Sequence, residues 1–253
     1  RLYRPLLLRF LRRVDCIIVA TEGHITSSPI LTQFREKCRV IPYGIDVAAY
    51  RNIVRKPILR QIQRNPETVR VLFVGRFVYY KGIEVLLHAF ARVHGCELFL
   101  VGHGTPEMEE KLHRMAEMAQ METRVHFLGN LSEEDLRAAF ADCDIFVLPS
   151  VANSEAFGIV QQEAMVYGKP VINTSLPTGV PHVSLDGVTG ITVPPENVPA
   201  LAQAIQKLAD DKALREQYGR AAAKRVEEEY EEADVVEKVY ATLAEFAERR
   251  RLS

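Results

Sequence analysis

Two carboxylates, Glu155 and Glu163, bracket the segment EAFGIVQQEA, eight positions apart across a glycine. The run before them, residues 142–150 (DCDIFVLPS), is β-branched and apolar, the pattern of a buried parallel strand. The run after them stops at Gly168 and Pro170, a helix-stop signal. The spacing predicts a helix starting near Gly158. The backbone amides of Phe157, Gly158, Ile159 and Val160 then fall at its first turn, where they lack intrahelical partners and favour an anion. Glu163 sits roughly 7–8 Å further along the axis at ~1.5 Å per residue, and Glu155 lies in the preceding loop. A phosphate on the amides would have a carboxylate on either side, each suited to accept hydrogen bonds from sugar hydroxyls. That chemistry suits a nucleotide sugar.

Two cations stand at another strand end. Residues 75–82, GRFVYYKG, follow an apolar run, and Gly75 allows a tight turn there. Open parallel sheets bind ligands at the carboxyl ends of their strands, so Arg76 and Lys81 are expected to project into a site. Fixed cations there neutralise a diphosphate and stabilise it as it leaves. In the loop GHGTP, residues 102–106, Gly102 and Gly104 would let backbone approach a ligand closely. Glu107 occupies the third glycine position of G-x-G-x-x-G, and the next strand, RVHFLG, ends without an acid. The dinucleotide fingerprint is therefore absent, which excludes an NAD-dependent enzyme.

The elements that must hold these groups alternate from Val69 onward. The strands are RVLFVG, ELFLVG, RVHFLG, DIFVLPS, PVINT and GITVPP, with helices between them that include 82–94, one through Met121 and one from Ser132, a good N-cap. This is the pattern of an α/β, Rossmann-like, doubly wound parallel sheet. Helices follow at 198–209, 211–229 and about 233–250. Before Val69 there is little more than one βαβ unit: a helix at 2–13, the strand DCIIVAT, a short helix and RVIPYGID. Residues 51–68 carry charges and two prolines and read as a linker.

Composition sets mild bounds. At 253 residues and 47% hydrophobic, the chain can bury one large core. A net charge of −1 with no long basic block argues against a nucleic-acid binder. Cys16, Cys38, Cys96 and Cys143 are far apart and suit buried thiols in a reducing compartment better than a disulfide framework or zinc site. No apolar run reaches the ~18 residues of a membrane span, and no signal peptide is visible. The chain begins at Arg1 without a methionine, which suggests a fragment.

The E-x7-E element, GRFVYYKG and GHGTP, in this order and spacing, resemble the retaining glycosyltransferases of family 4, whose GT-B fold sets two Rossmann-like domains face to face. The resemblance covers nearly the whole chain. It implies that Glu155 contacts the transferred sugar, that Glu163 holds the ribose hydroxyls, and that Arg76 and Lys81 contact the diphosphate. Leu131 and the backbone at 128–130 become candidates for the nucleobase, and His103 becomes a lining residue rather than a base. Residues 1–50 resemble the end of the N-terminal acceptor domain, with RVIPYGID its final strand and hinge. Residues 69–232 resemble the donor domain, and 233–253 the terminal helix that packs back on the N-terminal domain.

The family mechanism implies retention, no metal and no cofactor beyond a GDP- or UDP-sugar donor. It also implies a glycan or lipid-linked acceptor and a catalytic histidine in the missing N-terminal domain, and none of the seven histidines here matches that position. The segment NTSLPTGVPHVS, residues 173–184, departs from the family form: Thr178 and Gly179 stand nearest its paired glycines, and His182 replaces its acid. The SLPTGVP form resembles enzymes of surface-polysaccharide assembly, often described as mannosyltransferases, and points to a GDP-mannose-like donor.

Leu2, Tyr3, Leu6, Leu7, Phe10, Leu11 and Val14 share one face of the first helix, with Arg1, Arg9, Arg12 and Arg13 around it. The face is expected to pack on the missing domain, with peripheral contact to an anionic membrane as the alternative. The expected function is thus a cytoplasmic glycosyltransferase fragment, at the inner face of the plasma membrane in that alternative, that binds donor and does not turn it over alone. The rivals are a GT-B sugar-nucleotide epimerase and a non-catalytic sugar-nucleotide-binding module.

Overall fold

The structure, a computed structural model, describes residues 3–52 and 56–252. Among these described residues, eight strands fall in two parallel sheets. β1 (Ile17–Val19) and β2 (Cys38–Val40) form a two-stranded sheet. The large sheet contains β3 (Val69–Val74), β4 (Cys96–Val101), β5 (Val125–Gly129), β6 (Ile145–Val147), β7 (Val171–Thr174) and β8 (Gly190–Val193), in the spatial order β5-β4-β3-β6-β7-β8. The chain winds outward from β3 to β5, crosses back to β6 and then winds the other way. The reversal between β3 and β6 opens a crevice at their carboxyl ends, where doubly wound sheets bind ligands.

Alternation along the strands explains why both faces are covered. Val71 and Phe73 of β3, with Leu98 and Leu100 of β4, enter one core layer. Leu72 and Val74, with Phe99 and Val101, enter the layer on the opposite face, among Phe140, Phe146 and Met165. Each large apolar side chain removed from water this way contributes about 1.5–3 kcal/mol. The four cysteines are free thiols, and burial pushes those of Cys96 and Cys143 up to about 12, which makes them inert.

The stretch before β3 differs from the sequence expectation in two ways. RVIPYGID is strand only as far as Val40, and Ile45 instead bridges to Glu231. The expected linker contains a helix, Ile58–Ile62, whose Leu59 is fully buried in the second core layer. Pro57 precedes that helix and Leu59 supplies the apolar anchor, so packing overrides the polar composition. Residues 53–55 lie outside the described residues, as do Arg1, Leu2 and Ser253.

The terminal helix, Glu232–Leu252, runs back along the small sheet. The Ile45 amide donates to the Tyr230 carbonyl at 2.8 Å and the Glu232 amide to the Ile45 carbonyl at 3.1 Å, and the Arg39 guanidinium lies 5.6 Å from the Phe246 ring centre. A groove of about 600 Å³ separates Leu6 and Phe10 of the first helix, Tyr3–Arg13, from Leu243 and Phe246. Tyr3, Leu6 and Phe10 are 70%, 63% and 61% exposed, so half of the described apolar stripe of that helix faces solvent, while Leu11 is buried. Among the described residues no helix is long and apolar enough to cross a membrane.

Candidate functional site

Two loops meet at the reversal point. β3 runs into Gly75, Arg76 and a 3-10 turn, Tyr79–Lys81; β6 runs into Leu148, Pro149 and Ser150, with Glu155 beyond. The Val151 amide donates to the Tyr80 carbonyl at 2.8 Å and ties one loop to the other. Lys81 Nζ then stands 2.5 Å from Glu155 Oε2. Ser150 is completely buried, and its hydroxyl donates to the same carboxylate oxygen at 3.0 Å. The Ser150 carbonyl accepts from Thr174 Oγ1 at 2.6 Å, so the end of β7 braces the group. Arg76 is exposed, with Nη2 donating to the Tyr80 hydroxyl at 3.2 Å. The expected pair of like cations is therefore split: Lys81 sits in an ion pair with Glu155, while Arg76 faces solvent.

The helix after Glu155 starts later than its sequence predicts. It spans Val160–Val166, and Gly158 takes the left-handed φ of +76° that L side chains rarely adopt. A Cβ at Gly158 would lie 2.7 Å from Leu148 Cδ2 and 2.9 Å from Gln161 Nε2, so packing as well as φ selects glycine. The amides of Phe157 and Gly158 thus belong to a turn, and Ile159 is the cap. Among the described residues these three amides have no hydrogen-bond partner, and they remain donors for an anion.

The turn is held from behind. Buried Gln161 donates to the Phe157 carbonyl at 3.2 Å and accepts from Asn173 Nδ2 at 2.9 Å. The Ala156 carbonyl accepts from the Gly179 amide at 2.7 Å and lies 3.0 Å from His24 Nε2. A carbonyl can only accept, so that ring nitrogen carries the proton. The departure from the family form around Thr178 and Gly179 therefore supports the Glu155 loop through backbone. His182 packs against Gly23, and burial, followed by the charges of His24 and Arg225, holds its pKa low.

Glu163 has a different partner from Glu155. Its Oε1 accepts from the Tyr50 hydroxyl at 2.6 Å. Burial pushes the Glu163 carboxyl up, and the Tyr50 bond and the Arg137 charge pull it back. Burial, then the bond to Glu163, raises the Tyr50 phenol, which stays a donor.

The glycine loops also have a packing role. A Cβ on Gly102 would overlap the Gly75 carbonyl oxygen, and one on Gly104 would fall 2.6 Å from the Phe77 oxygen. Missing side chains here let the loops after β3 and β4 approach each other, laced by Phe77 N to His103 O at 2.7 Å. His103 Nδ1 lies 2.8 Å from Asn130 Oδ1, which places His103 beside the 128–131 corner. Leu131 there is half buried against the second core layer.

Two site residues escaped the sequence reading. Ser150 had a usable signal, a hydroxyl at the carboxyl end of a buried strand. Tyr50 had none, because its partner is 113 residues away.

The sequence profile described as "Glycosyl transferases group 1" matches residues 54–225. The chain is 37% identical over 228 residues to the D-rhamnosyltransferase WbpZ of Pseudomonas aeruginosa, covering 89% of this chain and 58% of that protein. It is 32% identical over 251 residues to the O-antigen chain mannosyltransferase C of Escherichia coli, covering 97% of this chain and 65% of that one. Among solved structures it is similar to Anabaena Alr3699/HepE in complex with UDP, with a TM-score of 0.84 and 25% identity across 94% of this chain and 67% of that chain. The chain thus spans about three fifths of the length of these curated relatives. With the profile match running through the loops after β3 and β6 and the helix Val160–Val166, the chain belongs to the group 1 glycosyl transferases.

Proposed function

We propose that this chain binds a nucleoside-diphosphate sugar across the carboxyl ends of β3 and β6 and forms the donor side of a retaining hexosyltransferase. The observation that carries the reading is the Lys81–Glu155 pair, 2.5 Å apart with Ser150 behind it, beside the unpartnered amides of Phe157, Gly158 and Ile159. Unliganded, each charge satisfies the other. Donor binding exchanges that pair for two new ones, Lys81 with Arg76 and the amides on the diphosphate, and Glu155 on the sugar hydroxyls. As the sugar–phosphate bond breaks, charge grows on the departing diphosphate, and fixed cations aimed at it lower the barrier. This reading assigns that neutralisation to Arg76 and Lys81 rather than to a metal, Glu163 to the ribose, and the 128–131 corner to the base.

A GDP-mannose-like donor is the favoured substrate. The sugars named for the two curated relatives, D-rhamnose and mannose, share one ring configuration and differ at C6. HepE in complex with UDP supports a UDP-sugar as the second reading. The acceptor in this proposal is a glycan or a lipid-linked glycan at the cytoplasmic face of a membrane. It is held in part by protein beyond this chain, which supplies the opposite wall. Calorimetric titration with GDP, UDP and ADP, then with GDP-mannose and UDP-glucose, tests it. GDP is expected to bind most tightly and the mannose conjugate to gain affinity through Glu155; failure of all three nucleotides to bind would sink the reading.

A further inference from the structure

Tyr50 lies on a short helix, Val47–Arg51, whose N-cap Asp46 accepts from the Ala49 amide at 2.8 Å. Contacts from two other helices fix its position. The Tyr167 hydroxyl donates to the Tyr50 carbonyl at 2.5 Å. The Arg137 guanidinium lies 4.6 Å from the Tyr50 ring centre, and its Nη1 donates to the Ala49 carbonyl at 2.9 Å. Thus held, the phenol reaches Glu163 Oε1 at 2.6 Å.

A carboxylate grips two vicinal hydroxyls through both oxygens only when its plane faces them. Each carboxylate oxygen has two acceptor sites, so Oε1 can hold the Tyr50 bond and still receive a second. We propose that Tyr50 is a positioning residue for nucleotide binding, its hydroxyl setting the plane of the Glu163 carboxylate so that it takes the ribose diol. The inference rests on the reading of Glu163 as the ribose contact. It also assigns a binding role to the segment that joins the two sheets.

A pH signature accompanies the geometry. Burial favours the neutral form of Glu163, while Tyr50 and Arg137, from the helices Val47–Arg51 and Glu133–Asp142, favour the carboxylate. On its own helix Tyr167 stands nearby, reaching the Tyr50 carbonyl. Among the described residues β7 carries no charged side chain, and no charge from the helix Lys212–Glu229 bears on Glu163. The carboxylate raised by burial binds hydroxyls fully above its pKa and loses them as pH falls through it. Removing the Tyr50 hydroxyl takes away a bond to the charged form, so the loss begins at higher pH.

The test is calorimetry on the whole chain with GDP and UDP and with their 2′,3′-dideoxy forms, from neutral into acidic pH. Tyr50→Phe is expected to weaken the ribonucleotides about three- to tenfold, move the acid limb upward, and leave the dideoxy forms unchanged. Equal weakening of both forms, or no change in either, would overturn the proposal. Glu163→Gln separates the two failures, because ribonucleotide binding unaffected by that change removes the ribose reading itself. If Tyr50→Phe does not fold, a fluorinated tyrosine at position 50 replaces it. Its more acidic phenol donates more strongly and should tighten ribonucleotide binding alone; unchanged binding would count against the proposal.

Discussion

At the scale of single residues, Lys81 and Arg76 differ in what their loss would disturb. Lys81 is largely buried against Glu155, so Lys81→Met leaves a carboxylate with Ser150 as its remaining partner. We expect that variant to lose about 1–3 kcal/mol of stability as well as diphosphate affinity. Arg76 is exposed, so Arg76→Ala should stay within about 0.5 kcal/mol of the parent in stability while weakening GDP far more than guanosine. Denaturant melts and paired titrations with GDP and guanosine check both; equal losses for nucleoside and diphosphate would mean structural damage. The types and spacing of these residues were legible in the chain, because a cation after a buried strand must emerge at the sheet's carboxyl edge. Their pairing was not. Lys81 finds Glu155 only because β3 and β6 are neighbours, and Glu163 meets Tyr50 only because the pre-β3 segment folds back over the helix Val160–Val166.

At the scale of elements, the stretch 56–62 is structural rather than a tether. Leu59 has no exposure and sits in the core layer beside Phe140 and Phe146. Leu59→Ala is therefore expected to cost about 2–5 kcal/mol, the range for a buried leucine, read as a lowered denaturation midpoint. A midpoint unchanged from the parent would show that the stretch contributes no packing. The six strands of the large sheet were readable because each is a short, mainly apolar run between turn residues. The helix start was not, since a glycine before an apolar run can equally open a helix or take a left-handed turn. Here Gly158 takes the left-handed turn, with Leu148 and Gln161 packed close enough that a Cβ would have to displace them. Similarly, Gly102 looked like ligand space, and only the strand order reveals the Gly75 carbonyl against it.

For the whole molecule, the proposed donor side lies on one continuous sheet, whereas a transferase also needs an acceptor held in line with the anomeric carbon. That positioning can contribute ~7–11 kcal/mol. We expect this chain to bind GDP measurably and to release no nucleotide above background from GDP-mannose or UDP-glucose, with or without lipid-linked acceptors. Robust turnover that depends on Glu155 would instead mean that a complete active site is present here. The fold class was legible from the alternation of strands and helices, and a terminal helix packing back was expected from the family resemblance, but its pairing with Ile45 was not legible, because no local pattern encodes so distant a contact. That contact has a kinetic meaning. The paired bonds between Ile45 and the residues flanking Glu231 close a loop containing the entire large sheet, and contacts of such sequence separation form slowly. We therefore expect the clasp to close late in folding and to open without melting the sheet. Deuterium uptake at the Ile45 amide should report that opening on its own clock, well ahead of the amides of β3 and β4.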